Sequence, residues 1–133
     1  MGSDAMLELR QYRRFTARED AFAVLRNQVN EVGQLINVSK GGLAFKYMAE
    51  RPLPSDSYQL DIFLAGTREF LWRSIPHRTI LDMELPPIVP FSVIRMRRRS
   101  VAFENLTEDH SLRLELLLEL SVGLDLDSAS PLA

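Results

Sequence analysis

The sequence predicts a mainly β protein: a small six- or seven-stranded antiparallel β-barrel with a C-terminal α-helix. Three observations carry this. Short runs in which apolar and polar residues alternate, as they do on a half-buried strand, recur from Phe15 to about residue 105. Turn-forming residues separate those runs, at Gly41-Gly42, Pro52 and Pro54, Gly66, and Pro86, Pro87 and Pro90. A leucine-rich segment with helical character then follows Thr107. Closure into a barrel is expected because it leaves no strand edge exposed.

Taken in order, Phe15 through Leu25 reads as the first strand, with a bend where Ala17-Arg18-Glu19-Asp20-Ala21 interrupts the alternation. From Val29 to Val38 the pattern sets Val32, Ile36 and Val38 on one face and Asn37, followed by Ser39, on the outward one. Gly41-Gly42 turns the chain into a hairpin, after which Leu43, Phe45 and Tyr47 alternate with Ala44, Lys46 and Met48. Arg51 to Asp56 is a proline turn. Tyr58, Leu60, Ile62 and Leu64 share one face of the next strand, Gly66 turns the chain, and two further strands cover 70–75 and 79–85. In the latter, Thr79, Leu81, Met83 and Leu85 are in phase. Residues 92–105 hold one long strand or two short ones. Thr107 is a good N-cap, Glu108 and Asp109 suit the positive end of the helix dipole, and the helix should reach about Val122 with Gly123 as its stop. Its leucines at 112, 114, 116, 117, 118 and 120 spread over about 240° of the circumference, more than the roughly 100° of a single packing face. The excess predicts a homodimer through this helix, with Leu114 and Leu118 as the outer pair.

Two short segments carry the chemistry. In Arg10-Gln11-Tyr12-Arg13-Arg14, the guanidinium forks of Arg10 and Arg14 can grip a phosphate, chelate the O6/N7 edge of guanine or stack on its face. In Asn37-Val38-Ser39-Lys40-Gly41-Gly42, an amide and a hydroxyl lie two apart, and the glycine pair allows a tight turn beside a ligand. A bland reading exists for each: a solvated basic arm for the first, and Asn and Ser capping their own turn for the second. Order and spacing favour a joint site.

The pair resembles the signatures of the PilZ family, bacterial domains that sense cyclic di-GMP: Arg-x-x-x-Arg, here Arg10 and Arg14, and (Asp/Asn)-x-Ser-x-x-Gly, here Asn37, Ser39 and Gly42. Val101 to Thr107 followed by the leucine-rich helix resembles the family's last strand and closing helix, so the likeness runs roughly from residue 8 to 122. It implies a cyclic di-GMP-binding sensor in which Arg10 and Arg14 hold phosphates and guanine edges, Asn37 and Ser39 bond polar groups, and Gly42 permits the approach. Leu9 stands where an arginine often precedes the first motif arginine, which points to one ligand per protomer. The alternative is a protein-interaction adaptor on the same fold without nucleotide affinity.

Composition narrows the remaining classes. One domain fits 133 residues, with 1–5 read as a cloning scar, 6–14 as an arginine arm, 15–122 as the barrel with its closing helix, and 123–133 as a mobile tail. No apolar run approaches the roughly 20 residues that span a bilayer, so a cytoplasmic protein is expected. The absence of cysteine excludes a disulfide framework and a thiolate metal site. A net charge of -2 argues against broad nucleic-acid binding. A barrel for single-stranded RNA would need exposed aromatics beside its basic residues. The run Arg95-Met96-Arg97-Arg98-Arg99 reads as a solvated strand or hairpin that could extend an anion site. Trp72 reads as core or interface rather than a stacking platform, and His77 and His110 are too few for a metal cluster. Asp125-Leu126-Asp127-Ser128 lacks the glycine and glutamate of a calcium loop. No nucleophile, P-loop or dinucleotide fingerprint occurs, so the chain is expected to have no reaction and no cofactor of its own, and to report ligand occupancy to a downstream protein.

Overall fold

The computed structural model of the chain describes residues 12–27, 30–54, 58–87, 89–120 and 122–125. Their strands are β1 (Phe15–Ala17), β2 (Ala21–Arg26), β3 (Glu31–Val38), β4 (Gly42–Met48), β5 (Gln59–Leu64), β6 (Glu69–Trp72), β7 (His77–Glu84), β8 (Met96–Phe103) and β9 (Val122–Asp125), with helix α1 (Glu108–Leu120) between β8 and β9. All pairings are antiparallel, in the order β6-β5-β2-β3-β4-β8-β7. β1 and β2 share one flank of β3, separated by the turn at 18–20, and β9 pairs with β1.

This corrects the expected closed barrel of six or seven strands. The sheet has nine strands and stays open, because β6 and β7 at its two ends share no ladder among the described residues. Each end ladder is instead extended by one bond into the connection between β6 and β7: Ile75 N–H donates to the Leu60 carbonyl of β5 at 2.9 Å, and Glu104 N–H, just past β8, to that of Pro76 at 3.1 Å. α1 packs against β6 and β9. Trp72 lies buried there, its ring 5.4 Å from that of Phe103 and 6.0 Å from that of His110.

Alternation set the inward face of β4 and β5: Leu43, Phe45 and Tyr47, then Leu60, Ile62 and Leu64, are all buried. Full burial of side chains this size stabilises by about 1.5 to 3 kcal/mol each. β3 departs from its expected phase. Its buried residues are Gly33, Leu35 and Val38, while Val32 is 60% exposed. The register shift between Leu35 and Asn37 inserts Ile36 as an extra residue and exchanges the two faces. Gly33 is glycine because a Cβ there would lie 2.6 Å from the Lys46 carbonyl oxygen. β7 likewise has a shift between Thr79 and Leu81, so Thr79 faces the core side with Val101 while Leu81 and Met83 lie outward, 42% and 44% exposed.

The helix is capped as its sequence predicts, with His110 N–H donating to Thr107 Oγ1 at 3.2 Å. It stops at Leu120, and Val122–Asp125, expected as helix end and mobile tail, are a strand on β1. The choice of Leu114 and Leu118 as an outer pair is also corrected. Leu114 and Leu117 are buried and Leu118 packs against the core, whereas Leu112 is 64% exposed.

One carboxylate is buried outright. Asp61, 0% exposed on β5, accepts from Arg26 Nε at 2.6 Å, Gln59 Nε2 at 3.0 Å and the Ser74 N–H at 2.8 Å. Burial alone would raise its pKa. The bonds from Gln59, Ser74 and Arg26 outweigh this and hold it below the usual carboxylate range.

Candidate functional site

The pairing of β1 with β3 brings the two sequence segments together. Phe15 lies opposite Val38 and Thr16 opposite Asn37, which carries Arg14 to the level of the Ser39 turn. Arg14, Asn37, Ser39 and Gly42 line one open cleft of about 180 Å³, together with Arg98 and Ser100 from β8 and Ile80 and Leu81 from β7. Enclosed small-molecule pockets run from about 300 Å³ upward. A ligand of that size would therefore lie across this cleft, on the outer face of the sheet. Arg10 and Leu9, and with them most of the arginine arm, lie outside the described residues.

The ladder explains the floor. Asn37 pairs with Ala44, Ala44 with Ser100 and Ser100 with Leu81, so all four point to the outer face. Ala44 is 2% exposed, and its small side chain leaves the depression. Asn37 is half-buried, and its amide makes no hydrogen bond among the described residues. It is available to a ligand.

Ser39 differs from its expected outward position. It is 3% exposed and lies past the end of β3. Its Oγ accepts from Gly41 N–H at 3.1 Å and Gly42 N–H at 3.2 Å, and its own N–H donates to the Gly42 carbonyl at 2.8 Å. The hydroxyl thus holds the turn between β3 and β4. No described glycine has a positive φ, so Gly41 and Gly42 turn without the left-handed conformation that glycine alone takes cheaply. Gly42 opens β4 opposite Ala102, where a missing side chain keeps the cleft wall low.

The structure divides the basic run. Arg97 Nε donates to Asp82 Oδ1 at 2.5 Å, and Arg99, 2% exposed, sets its Nε 3.4 Å from Asp82 Oδ2. Tyr47 Oη donates to the same carboxylate, and burial together with that bond pushes its pKa up to about 12. Arg95 pairs with Glu84 at the surface. Arg97 and Arg99 are thus anchored on Asp82, which corrects the expectation of a solvated run at those two positions, while Arg95 stays exposed. Arg98 points the other way, into the cleft. Period-2 alternation within the run could have separated it from Arg97 and Arg99.

A second depression, about 350 Å³, lies between β6 and α1 beside Trp72, Arg73, His110 and Arg113 and contains none of the motif residues. Among the described residues no cluster of His, Cys, Asp and Glu could hold a metal, and no helix is long and apolar enough to cross a membrane.

No family model matches the chain, and no curated protein matches it. A solved structure does: the PilZ domain of YcgR from Escherichia coli, with c-di-GMP, is 15% identical and superposes with a TM-score of 0.63 over 82% of this chain and 88% of that one. The fold of this chain is PilZ-like.

Proposed function

We propose that this chain is a cytoplasmic receptor domain for cyclic di-GMP, with no reaction of its own, which passes ligand occupancy to a downstream protein through a surface change. The observation that carries the reading is the convergence of Arg14, Asn37, Ser39 and Gly42 on one outer-face cleft, in a fold like that of a domain solved with c-di-GMP. Arg14, and Arg10 four residues before it, supply charged forks for the phosphates and guanine edges. Asn37 supplies an unused amide. Ser39 acts one step removed, by fixing the turn that sets Asn37 and Gly42 at the cleft wall.

Isothermal titration with cyclic di-GMP, with GTP and cyclic di-AMP as controls, tests this. Specific binding of one ligand per protomer is expected, since Leu9 offers no further guanidinium, and Leu9→Arg should move the ratio towards two. Arg10→Ala and Arg14→Ala should each weaken binding about tenfold or more, because hydrogen bonds to charged groups contribute about 1.5 to 3 kcal/mol. Absence of binding heat with folded protein at high micromolar ligand leaves the adaptor reading in its place.

A further inference from the structure

Arg98 stands apart from every other arginine of its run. Arg95, Arg97 and Arg99 each have a carboxylate partner, on Glu84 or Asp82. The Arg98 side chain has no hydrogen bond or ion pair among the described residues, and it lines the cleft. The ladder also sets it directly opposite Lys46, whose ammonium has no partner among the described residues either. Like charges directly opposite one another on a sheet repel and destabilise the pair. No carboxylate shares their cross-strand row, which runs Met83, Arg98, Lys46, Gln34 and Phe22. The β4–β8 face thus keeps two uncompensated cations beside a depression already lined by Arg14 and Asn37.

We infer that Arg98 is a further cationic hold on the ligand, taking a phosphodiester oxygen or the O6/N7 edge of a guanine from the side of the cleft opposite Arg14, with Lys46 adding attraction beside it. This rests on the cyclic di-GMP reading and deepens it. The guanidinium fork suits both ligand edges. An anion seated there removes the Arg98–Lys46 repulsion, so the residue that weakens the empty sheet strengthens the occupied one. A merely structural arginine would behave in the opposite way: its removal would lower stability and leave affinity unchanged.

The test combines titration of cyclic di-GMP with thermal unfolding of the ligand-free protein, for the unmodified chain, Arg98→Ala and Arg95→Ala. Arg98→Ala is expected to raise Kd at least tenfold while the ligand-free melting temperature stays the same or rises. Arg95→Ala, which removes a neighbouring cation paired outside the cleft, should leave Kd within twofold. An Arg98→Ala affinity within twofold of an unmodified protein that binds overturns the inference alone, as does a ligand-free melting temperature several degrees lower. Equal weakening by Arg95→Ala overturns it too, because general charge then explains the effect. An unmodified protein that does not bind refutes the receptor reading, and this inference with it.

Discussion

Replacing Asp61 with asparagine keeps the shape of the side chain and removes its charge, at a carboxylate that is 0% exposed within the sheet. Oδ2 receives Arg26, and Oδ1 receives both Gln59 and Ser74. An amide has a single acceptor oxygen, so whichever way it turns, its NH2 confronts a donor. Breaking a buried pair by removing one partner costs about 3 to 5 kcal/mol. The lower end applies here, because Arg26 is 32% exposed and can recover some hydration. With an unfolding entropy of about 2.1 cal/mol/K per residue, a loss of about 3 kcal/mol lowers the melting temperature of a chain this size by about 10 °C. The pH dependence supplies a second reading. The folded pKa of Asp61 lies below the unfolded value of about 3.9, so the carboxylate's contribution is fully present above that value and is lost as pH falls through the folded pKa. Melting curves of both proteins by circular dichroism from pH 7 to pH 3 should therefore show a gap of about 10 °C that narrows in acid. A gap under about 3 °C at pH 7, or one that stays constant down to pH 3, refutes this account of the site.

Ser39→Ala leaves the N–H groups of Gly41 and Gly42 without their acceptor in a partly buried turn, so a stability loss of about 1 to 3 kcal/mol is expected in urea unfolding, with ligand affinity falling less than for Arg14→Ala. The opposite ranking would make the hydroxyl a direct ligand contact. Gly33→Ala places a Cβ 2.6 Å from the Lys46 carbonyl oxygen and 3.2 Å from Phe45 and Tyr47, all on a packed strand with no flexible tip to move aside. Overpacking of this kind costs about 1 to 3 kcal/mol, and a variant as stable as the parent would show that β3 and β4 separate freely.

Much of this protein is local and is therefore legible in its sequence. Alternation along β4 and β5, the Thr107 cap and the bend between β1 and β2 depend on neighbours in the chain, and strand periodicity or capping chemistry reveals them directly. The motif spacing likewise identified Arg14, Asn37, Ser39 and Gly42, which line one cleft. What the sequence could not decide are properties of pairs. The extra residues at Ile36 and Ile80 exist only relative to a partner strand, yet each exchanges the faces of the residues beyond it. Strand β9 forms because β1, distant in sequence, offers it an edge. Whether the end strands meet is a matter of curvature over the whole sheet, and here they do not. Ser39 became a turn anchor because its hydroxyl found two N–H groups of its own hairpin before any ligand could. In the arginine run, identical side chains divide by where the carboxylates stand: Asp82 faces the core and takes Arg97 and Arg99, Glu84 takes Arg95, and Arg98 is left on the outer face with Lys46 across from it. Only the folded sheet sets those charges within reach of one another, since Coulomb attraction acts through space rather than along the chain.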